Sequence, residues 1–265
     1  MFKLTPRSVP AVLSLFLALV CALGLVACGT TNDRLKGETA QALFDEAKEL
    51  QNGGSFERAI KGFEQLEGTF PYGRHAQQAQ LEIAYTYYKM QESASAIAAA
   101  DRFIKQYPNH PSVDYAYYLK GLSTQISEDS FLNVIYERDL ADLDQSAVRE
   151  SFDIFRELVT RFPDSRYTPD ARERMEKIVD ALARNELKAA RYYVRRGAPL
   201  AAINRAKGIL KDHAGSSVIE EALAIMVDSY TQLGLTTLST DAQRVLRQNY
   251  PQSTYLSGKY QVPAR

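Results

Sequence analysis

The sequence predicts an all-α protein built from five stacked helical hairpins, and three repeated features predict it. An aromatic residue followed by proline recurs along the chain, with one degenerate copy: Phe70-Pro71, Tyr107-Pro108, Phe162-Pro163, His213-Ala214 and Tyr250-Pro251. We call the first residue of each pair the mark. A small residue stands eleven positions before each mark: Ala59, Ala96, Ser151, Ala202 and Ser239. An alanine stands nine positions after four of them: Ala79, Ala116, Ala171 and Ala222. Because a small residue lets two helix backbones approach and proline ends a helix, each unit is predicted to be a pair of packed helices.

The first two repeats match the tetratricopeptide pattern. In the first, Ala59 and Phe63 precede Pro71 at the spacing of that signature, and Ala47 stands in the usual glycine position of the first helix. The second repeat has the corresponding residues Ala84, Tyr87, Ala96 and Pro108. The tryptophan of the signature is absent, since the chain has no Trp. We therefore predict a tetratricopeptide-like superhelix of five hairpin repeats, in which Tyr87 packs between helices.

At two places successive marks lie much farther apart than the ~34 residues of a plain repeat. This spacing indicates that two repeats contain inserted residues. The first addition, residues 127–145, is rich in Asp and Glu and breaks the apolar period, which predicts an acidic loop between the two helices of the third repeat. The second, Tyr167 to Arg196, has no glycine and has only Pro169 near its start. Its apolar residues keep helical spacing, so we predict one unusually long helix there.

Residues 1–27 have the composition of a lipoprotein signal peptide. Two basic residues start the chain, an uncharged apolar segment follows, and Ala27 precedes Cys28. The Leu-Val-Ala-Cys run resembles a bacterial lipobox, in which the cysteine receives a diacylglyceryl group and, after cleavage, an N-acyl chain. With Gly29 rather than aspartate next, the resemblance implies the periplasmic face of the outer membrane. Alternatively, this apolar segment is not cleaved and anchors the protein by spanning the membrane, since its length is close to the ~20 residues that a span needs. We predict residues 28–38 to be a lipidated, flexible linker.

The composition of the chain excludes several classes of function. Its 265 residues contain 32 Lys plus Arg against 32 Asp plus Glu, so the positive surface of a nucleic-acid-binding protein is missing. The two cysteines lie near the N-terminus and the three histidines share no motif, so we expect no metal site. No glycine-rich phosphate loop occurs. We therefore predict no catalytic site, no cofactor other than the lipid on Cys28, and a function that resides in binding surfaces.

The first helix of each hairpin is expected to line the inner side of such a superhelix. The register fixed by the proline marks places a set of aromatic and basic residues there: Phe44, Lys48, Tyr85, Tyr88, Lys89, Tyr115 and Tyr118. Ordinary helix packing is one explanation of these tyrosines. The functional hypothesis is a cleft for an extended apolar and aromatic peptide, in which Lys48 or Lys89 meets the terminal carboxylate. On this hypothesis residues 39–126 form a substrate-binding half.

Several motifs spread over the chain from residue 28 onwards resemble one known family. They are Phe70-Pro71-Tyr72-Gly73, Gln77-Gln78-Ala79-Gln80-Leu81, Tyr87-Tyr88-Lys89, Asp101-Arg102-Phe103-Ile104, His110-Pro111, Asp114-Tyr115, Gly121-Leu122, Arg191-Tyr192-Tyr193 and Arg196-Gly197-Ala198. With the lipobox, they resemble the BamD (ComL) family of the outer-membrane β-barrel assembly machinery. The resemblance implies that the amino-terminal repeats engage the C-terminal targeting strand of unfolded outer-membrane proteins. It also implies that the C-terminal repeats dock the periplasmic domains of BamA, and that BamC and BamE bind nearby.

One basic residue in the fourth repeat supports the docking role independently. Three positions after the small residue of each repeat, the five units carry Gly62, Ala99, Ile154, Arg205 and Ala242, so a cation appears only in the fourth. Asn204 and Arg205 resemble the Asn-Arg pair of the family, and a planar guanidinium suits a carboxylate of a partner. A solvated helix charge is the alternative. We predict that residues 146–257 form the partner-docking half and that residues 258–265 form a tail.

Three functions are compatible with these features of the sequence. The resemblance implies an outer-membrane-anchored, non-enzymatic scaffold and receptor for unfolded outer-membrane proteins during their assembly and insertion. The second is a periplasmic repeat adaptor that coordinates cell-wall or division enzymes. The third is a cell-wall hydrolase, which predicts acidic residues in the cleft where this chain has tyrosines.

Overall fold

The described part of the chain is an all-α fold of consecutive helical hairpins, which confirms the predicted fold class. The computed structural model describes the backbone of residues 28–125, 141, 145–257 and 260–262, which contain ten α-helices and no β-strand. The helices are α1 (Cys28–Asn52), α2 (Phe56–Thr69), α3 (Arg74–Lys89), α4 (Ser93–Gln106), α5 (Val113–Gln125), α6 (Gln145–Arg161), α7 (Thr168–Arg195), α8 (Pro199–Asp212), α9 (Ile219–Gln232) and α10 (Thr236–Asn249). A short 3-10 helix, Thr254–Ser257, follows α10.

The chain divides into two compact units. The first unit ends at Thr86 and the second begins at Tyr87, so the division falls within α3. In the first unit α1 packs on α2; in the second, contacts run from α4 to α5 and on through each successive helix to α10, with α7 also touching α9.

The five marks end the second helix of each hairpin in the same way. The backbone N–H of the mark residue donates to the carbonyl oxygen four residues earlier at 2.8–2.9 Å: Phe70 to Leu66, Tyr107 to Phe103, Phe162 to Leu158, His213 to Ile209 and Tyr250 to Leu246. The following proline cannot continue a helix. His213-Ala214 ends α8 with the same bond, because the bond uses only backbone atoms and needs neither an aromatic ring nor a proline.

The repeated positions form the core between helices, as the pattern predicts. Thirteen residues at these positions, or at the large apolar position four before each mark, are almost wholly buried: Ala59, Leu66, Ala79, Ala96, Phe103, Ala116, Ser151, Leu158, Ala171, Ala202, Ile209, Ala222 and Leu246. Ser239 departs from the pattern, because it is half-buried and its hydroxyl donates to the carbonyl of Val227 at 3.1 Å.

Two close helix contacts depend on glycine. A Cβ on Gly62 of α2 would lie 2.9 Å from the Cβ of Ala47 on α1. A Cβ on Gly121 of α5 would lie 2.5 Å from the ring of Phe155 on α6. The hydroxyl of Ser151 donates to the Gly121 carbonyl at 3.0 Å, which holds α6 at the same short distance. The third repeat is therefore packed too tightly for any side chain at residue 121.

The long helix predicted from Tyr167 to Arg196 is confirmed, since α7 runs over 28 residues from Thr168 to Arg195. Pro169 stands in its first turn, where a proline costs no hydrogen bond. The acidic loop predicted at 127–145 belongs between α5 and α6, and apart from Ala141 and Gln145 it lies outside the described residues. The predicted signal peptide, residues 1–27, and the tail residues 258–259 and 263–265 also lie outside them.

Residues 28–38 differ from the predicted flexible linker, because they form the first part of α1. The segment Asp33-Arg34-Leu35-Lys36 contains mostly good helix formers. Its one interior glycine, Gly37, costs about 1 kcal/mol relative to alanine, which a helix of 25 residues tolerates. The polar composition of residues 28–38 predicts a linker, but composition does not report the helix propensity of a short segment.

Candidate functional site

Three tyrosine rings form a stack on the second unit, and we call Tyr115, Tyr118 and Tyr167 the tyrosine stack. Tyr115 and Tyr118 lie one turn apart on α5, and Tyr167 lies immediately before α7. The Tyr167 ring centroid is 5.1 Å from that of Tyr115 and 4.9 Å from that of Tyr118, with interplanar angles of 28° and 20°. All three side chains are half-buried. Tyr115 and Tyr118, both predicted to line the cleft, thus share a stacking partner in Tyr167.

Charged side chains fix the rim of the tyrosine stack. The hydroxyl of Tyr118 donates to Oδ2 of Asp170 at 2.6 Å, and Nε of Arg174 donates to the same oxygen at 2.6 Å. At Tyr167, Nη2 of Arg166 donates to the phenol hydroxyl at 2.6 Å, and the guanidinium carbon lies 4.9 Å from the ring centroid. These hydrogen bonds hold the rings of Tyr118 and Tyr167 in place. The tyrosine stack is therefore a preformed apolar surface with polar edges, as in many binding sites.

Burial and the hydrogen bond to Asp170 raise the pKa of Tyr118 to about 12 from its usual 10.0. Burial alone would raise the pKa of Asp170, but hydrogen bonds from Tyr118 and Arg174 outweigh it and lower that pKa. At neutral pH the phenol therefore keeps its proton and donates it to an ionised carboxylate.

The ionisation of Tyr118 gives a test of this arrangement. Because its pKa is raised on folding, the stabilisation is complete below pH 10 and is lost as the pH rises through about 12. We expect the alkaline ultraviolet titration of the folded protein, minus that of Tyr118→Phe, to isolate a phenol that ionises near pH 12. Asp170→Asn removes the acceptor charge and should bring this ionisation back towards pH 10. A difference curve centred at 10 in the unmodified protein would contradict the hydrogen bond.

Phe44 was predicted to line the cleft, and that prediction is wrong. Its side chain is 6% exposed and packs in the first unit against Phe63, with ring centroids 5.5 Å apart. The reason is the helical register of α1. Phe44 lies on one stripe with Ala40 and Ala47, and all three are buried. Phe44 therefore belongs to the core of the first hairpin.

Lys48 lies on α1 beside that stripe and has partners within the first unit. Its Nζ is 2.7 Å from Oε2 of Glu82 on α3 and 2.7 Å from Oε1 of Gln51. It also lies 5.8 Å from the ring centroid of Tyr85. Lys48 thus links α1 to α3 and holds the half-buried Tyr85, and an incoming carboxylate would have to compete with Glu82 for it.

The remaining cleft residues lie in the last turn of α3, at the start of the second unit. Tyr88 is half-buried and Lys89 is exposed. Tyr87, predicted to pack between helices, is also only half-buried. Of the two lysines predicted to meet a carboxylate, Lys89 is the one on the surface.

Asn204 and Arg205 line a cavity of about 630 Å³ within the second unit. Both are exposed, and they lie on α8. Nη1 of Arg205 is 3.0 Å from Oε2 of Glu186 on α7. The cavity wall also includes Tyr193 and His213, and burial lowers the pKa of the histidine, which keeps it neutral. Arg205 is therefore oriented by one carboxylate while its guanidinium remains accessible.

Sequence reasoning missed Tyr167. This residue lies in the turn between the Phe162-Pro163 mark and the Pro169 that starts α7, so helical register says nothing about the direction of its ring. Within the described residues there is no group of three or more side chains suited to a metal ion. No helix among those residues is long and apolar enough to cross a membrane.

Comparison with known proteins identifies similar sequences over nearly the whole chain. Residues 36–246 match a family model described as YfiO, outer membrane lipoprotein. The chain is 43% identical over 253 residues to the outer membrane protein assembly factor BamD of Neisseria meningitidis serogroup A, covering 93% of this chain and 95% of that protein. It is 35% identical to the protein of the same name from Xylella fastidiosa, over 84% of this chain and 77% of that one. The BamD of Vibrio cholerae is 31% identical, over 85% and 93%.

Solved structures show a more distant similarity. The thermophilic TPR protein TTC0263 of Thermus thermophilus is 13% identical and covers 82% of this chain and 94% of its own, with a TM-score of 0.35. The MamA protein is 16% identical, with a TM-score of 0.33 over 86% of this chain and all of its own.

Proposed function

The chain belongs to the BamD family, and from this premise we propose that it is an outer membrane protein assembly factor that serves as scaffold and receptor for unfolded outer-membrane proteins. Its relatives are named as assembly factors, and the chain is accordingly a non-enzymatic accessory protein. In this proposal the second unit receives an extended client chain on one surface and holds a partner subunit on another.

The observation that carries the receptor role is the tyrosine stack. Its rings are half-buried, so part of each ring is open for contact, and charged neighbours fix the hydroxyls of Tyr118 and Tyr167. Tyrosine has few rotatable bonds, so it supplies a large contact area with little loss of conformational entropy on binding. An unfolded β-barrel strand presents apolar and aromatic side chains on one face, because side chains alternate along an extended chain. The stack offers matching rings to that face.

A binding measurement with a peptide tests the receptor role. The probe is a fluorescein-labelled peptide with the sequence of the last strand of an outer-membrane barrel protein. We expect its fluorescence anisotropy to rise saturably when the purified protein is added. A matched peptide with alanine in place of its aromatic residues should bind at least about tenfold more weakly, since each aromatic contact contributes about 1 kcal/mol or more. Equal binding of the two peptides would refute aromatic recognition.

For the partner surface, we assign Asn204 and Arg205 to docking of the periplasmic domains of BamA. Support comes from the accessible guanidinium on a cavity wall and from the Asn-Arg pair that resembles the family's. In this proposal Nη1 of Arg205 stays bonded to Glu186, and the remaining donors of the guanidinium meet a carboxylate of the partner. BamC and BamE are proposed as further subunits of the same complex.

Arg205→Glu is expected to reduce the recovery of BamA in co-purification by more than about tenfold, because a like-charge contact in an interface costs several kcal/mol. The helix should survive, since exposed substitutions usually change stability little. Arg156→Glu provides the matched control: Arg156 is also exposed and pairs with a carboxylate, Asp153, on its own helix α6. Equal recovery of BamA with both variants would remove Arg205 from the docking surface.

We further propose that the protein is held at the periplasmic face of the outer membrane by lipid on Cys28. The family description as an outer membrane lipoprotein supports this, as does the lipobox that Cys28 closes. Several acyl chains together give stable attachment, whereas one chain binds only marginally. Mass spectrometry of the N-terminal peptide of the mature protein should find Cys28 as the first residue, carrying diacylglyceryl and N-acyl groups. No other cofactor is proposed.

A further inference from the structure

After α10 the chain returns to the body of the second unit instead of leaving it. It turns at Tyr250, forms the 3-10 helix Thr254–Ser257, and comes back against the core formed by α7 to α10. Tyr255, Leu256 and Val262 pack on this core, and Tyr260 is 6% exposed. We call residues 250–262 the C-terminal segment; residues 258 and 259 lie outside the described part of the chain.

A buried charged group anchors this segment. The Tyr260 hydroxyl donates to Oε1 of Glu221 at 2.5 Å, while Nε and Nη2 of Arg191 donate to the two oxygens of the same carboxylate at 2.6 Å each. Glu221 is only 8% exposed. A carboxylate removed from water in this way requires donors, because an unpaired buried charge is strongly destabilising. The Tyr255 ring completes the arrangement, 5.7 Å from that of Tyr260.

The protonation states of the anchor are well defined. Burial alone would raise the pKa of Glu221, but hydrogen bonds from Arg191 and Tyr260 lower it, so the carboxylate is ionised at neutral pH. Burial and the bond to Glu221 raise the pKa of Tyr260, so the phenol keeps its proton. The anchor therefore recognises a neutral hydroxyl on an aromatic ring.

The position of the anchor indicates what kind of site it is. Arg191 lies on α7 and Glu221 lies on α9, which are the first helices of the fourth and fifth hairpins. Arrays of helical hairpins bind extended peptides on the surface that successive repeats form together. The C-terminal segment is irregular or 3-10 rather than α-helical and carries aromatic and apolar side chains. Its 3-10 helix contacts α9 and α10, and Tyr260 reaches the carboxylate that pairs α9 with α7.

We propose that the surface of α9 and α10 around the Arg191–Glu221 pair is a second peptide-binding site, specific for an aromatic segment with a tyrosine hydroxyl, and that the C-terminal segment of the chain occupies it in cis. A short tether keeps such a segment at an effective concentration on the order of millimolar, so a free peptide at micromolar concentration does not displace it. The site is self-occluded in the resting protein and opens to another peptide only when the segment leaves.

The test uses the purified full-length protein in detergent and a labelled peptide that reproduces residues 250–265. We expect no measurable anisotropy change with the unmodified protein, and saturable binding to Tyr260→Ala, whose own segment has lost its anchor. Hydrogen bonds to a charged group are strong enough that a probe with phenylalanine in place of Tyr260 should bind roughly ten- to a hundredfold more weakly. Tyr72→Ala is the matched control, because Tyr72 is 92% exposed and its loss should leave the site filled.

A second variant protects the test against misfolding. Tyr260→Phe keeps the ring and removes only the hydroxyl, so it should retain the helical circular dichroism of the unmodified protein. It should bind the tyrosine probe more weakly than Tyr260→Ala does but measurably above the unmodified protein. The proposal fails if neither variant binds the probe while folded, or if the unmodified protein and Tyr72→Ala bind it as well as Tyr260→Ala.

Discussion

Replacing Tyr118 and Tyr167 together with alanine is expected to weaken binding of the client peptide by more than about thirtyfold, the equivalent of ~2 kcal/mol. The two rings stack with centroids 4.9 Å apart, so losing both removes the apolar face of the tyrosine stack and leaves Tyr115 without its neighbour. Fluorescence anisotropy with the labelled strand peptide measures the change, and thermal unfolding shows that the variant is folded.

Two controls separate ring contact from other effects of these substitutions. The double variant with phenylalanine at both positions keeps the stacked rings and loses only the hydroxyl groups that bond Asp170 and Arg166. We expect it to retain peptide binding within about threefold of the unmodified protein, since rim hydrogen bonds contribute little to affinity. Tyr72→Ala removes an exposed tyrosine from the first unit and should bind normally. If the alanine and phenylalanine variants bind the peptide equally, the rings are not the contact surface.

The largest expected effect on stability comes from Gly121→Ala. The new methyl group would lie 2.5 Å from one ring carbon of Phe155 and 2.8 Å from two others. Phe155 is fully buried and the Ser151 hydroxyl bonds the Gly121 carbonyl, so relieving the clash would disturb the packing of α5 on α6. Overpacking of this kind costs about 1–3 kcal/mol, which corresponds to a fall in Tm of roughly 2 to 12 °C for a unit of this size. Differential scanning calorimetry measures it.

Gly68→Ala is the matched control. Gly68 lies in α2, and a Cβ there meets nothing within 4 Å, so the substitution introduces the same methyl group without a clash. Because alanine favours a helix more than glycine, we expect Gly68→Ala to raise stability slightly, by up to about 1 kcal/mol. Should Gly121→Ala be as stable as Gly68→Ala, the close contact between α5 and α6 would be disproved.

The repeat architecture was predictable from the sequence because close helix packing restricts residue size at fixed positions. Ala59, Ala116 and Ala171 are small for that reason, and their burial follows directly. The long α7 was predictable because an uninterrupted apolar period is a local property of the chain. The error at Phe44 has the opposite cause: neighbouring positions on a helix differ by about 100° in direction, so a small error of register moves a ring from the surface to the core.

The functional surfaces depend on contacts that no local pattern encodes. Tyr167 lies in a turn and Tyr260 lies beyond the last repeat, and both reach their partners only because distant helices are brought together. Arg205 was found because it breaks the repeat pattern, but its pairing with Glu186 of α7 could not be read from that pattern. The repeat pattern predicts the positions of the helices. Locating the functional surfaces also requires the directions of individual side chains, which the pattern does not give.

Site-specific photocrosslinking in cells shows which of the two surfaces contacts client proteins and which contacts BamA. A photoreactive amino acid is placed in turn at positions 115 and 205, on the tyrosine stack and on the cavity wall. We expect position 115 to capture unfolded outer-membrane proteins, with a signal that rises when barrel assembly is blocked, and position 205 to capture BamA. Capture of BamA alone from position 115, with clients captured only from position 205, would contradict this expectation.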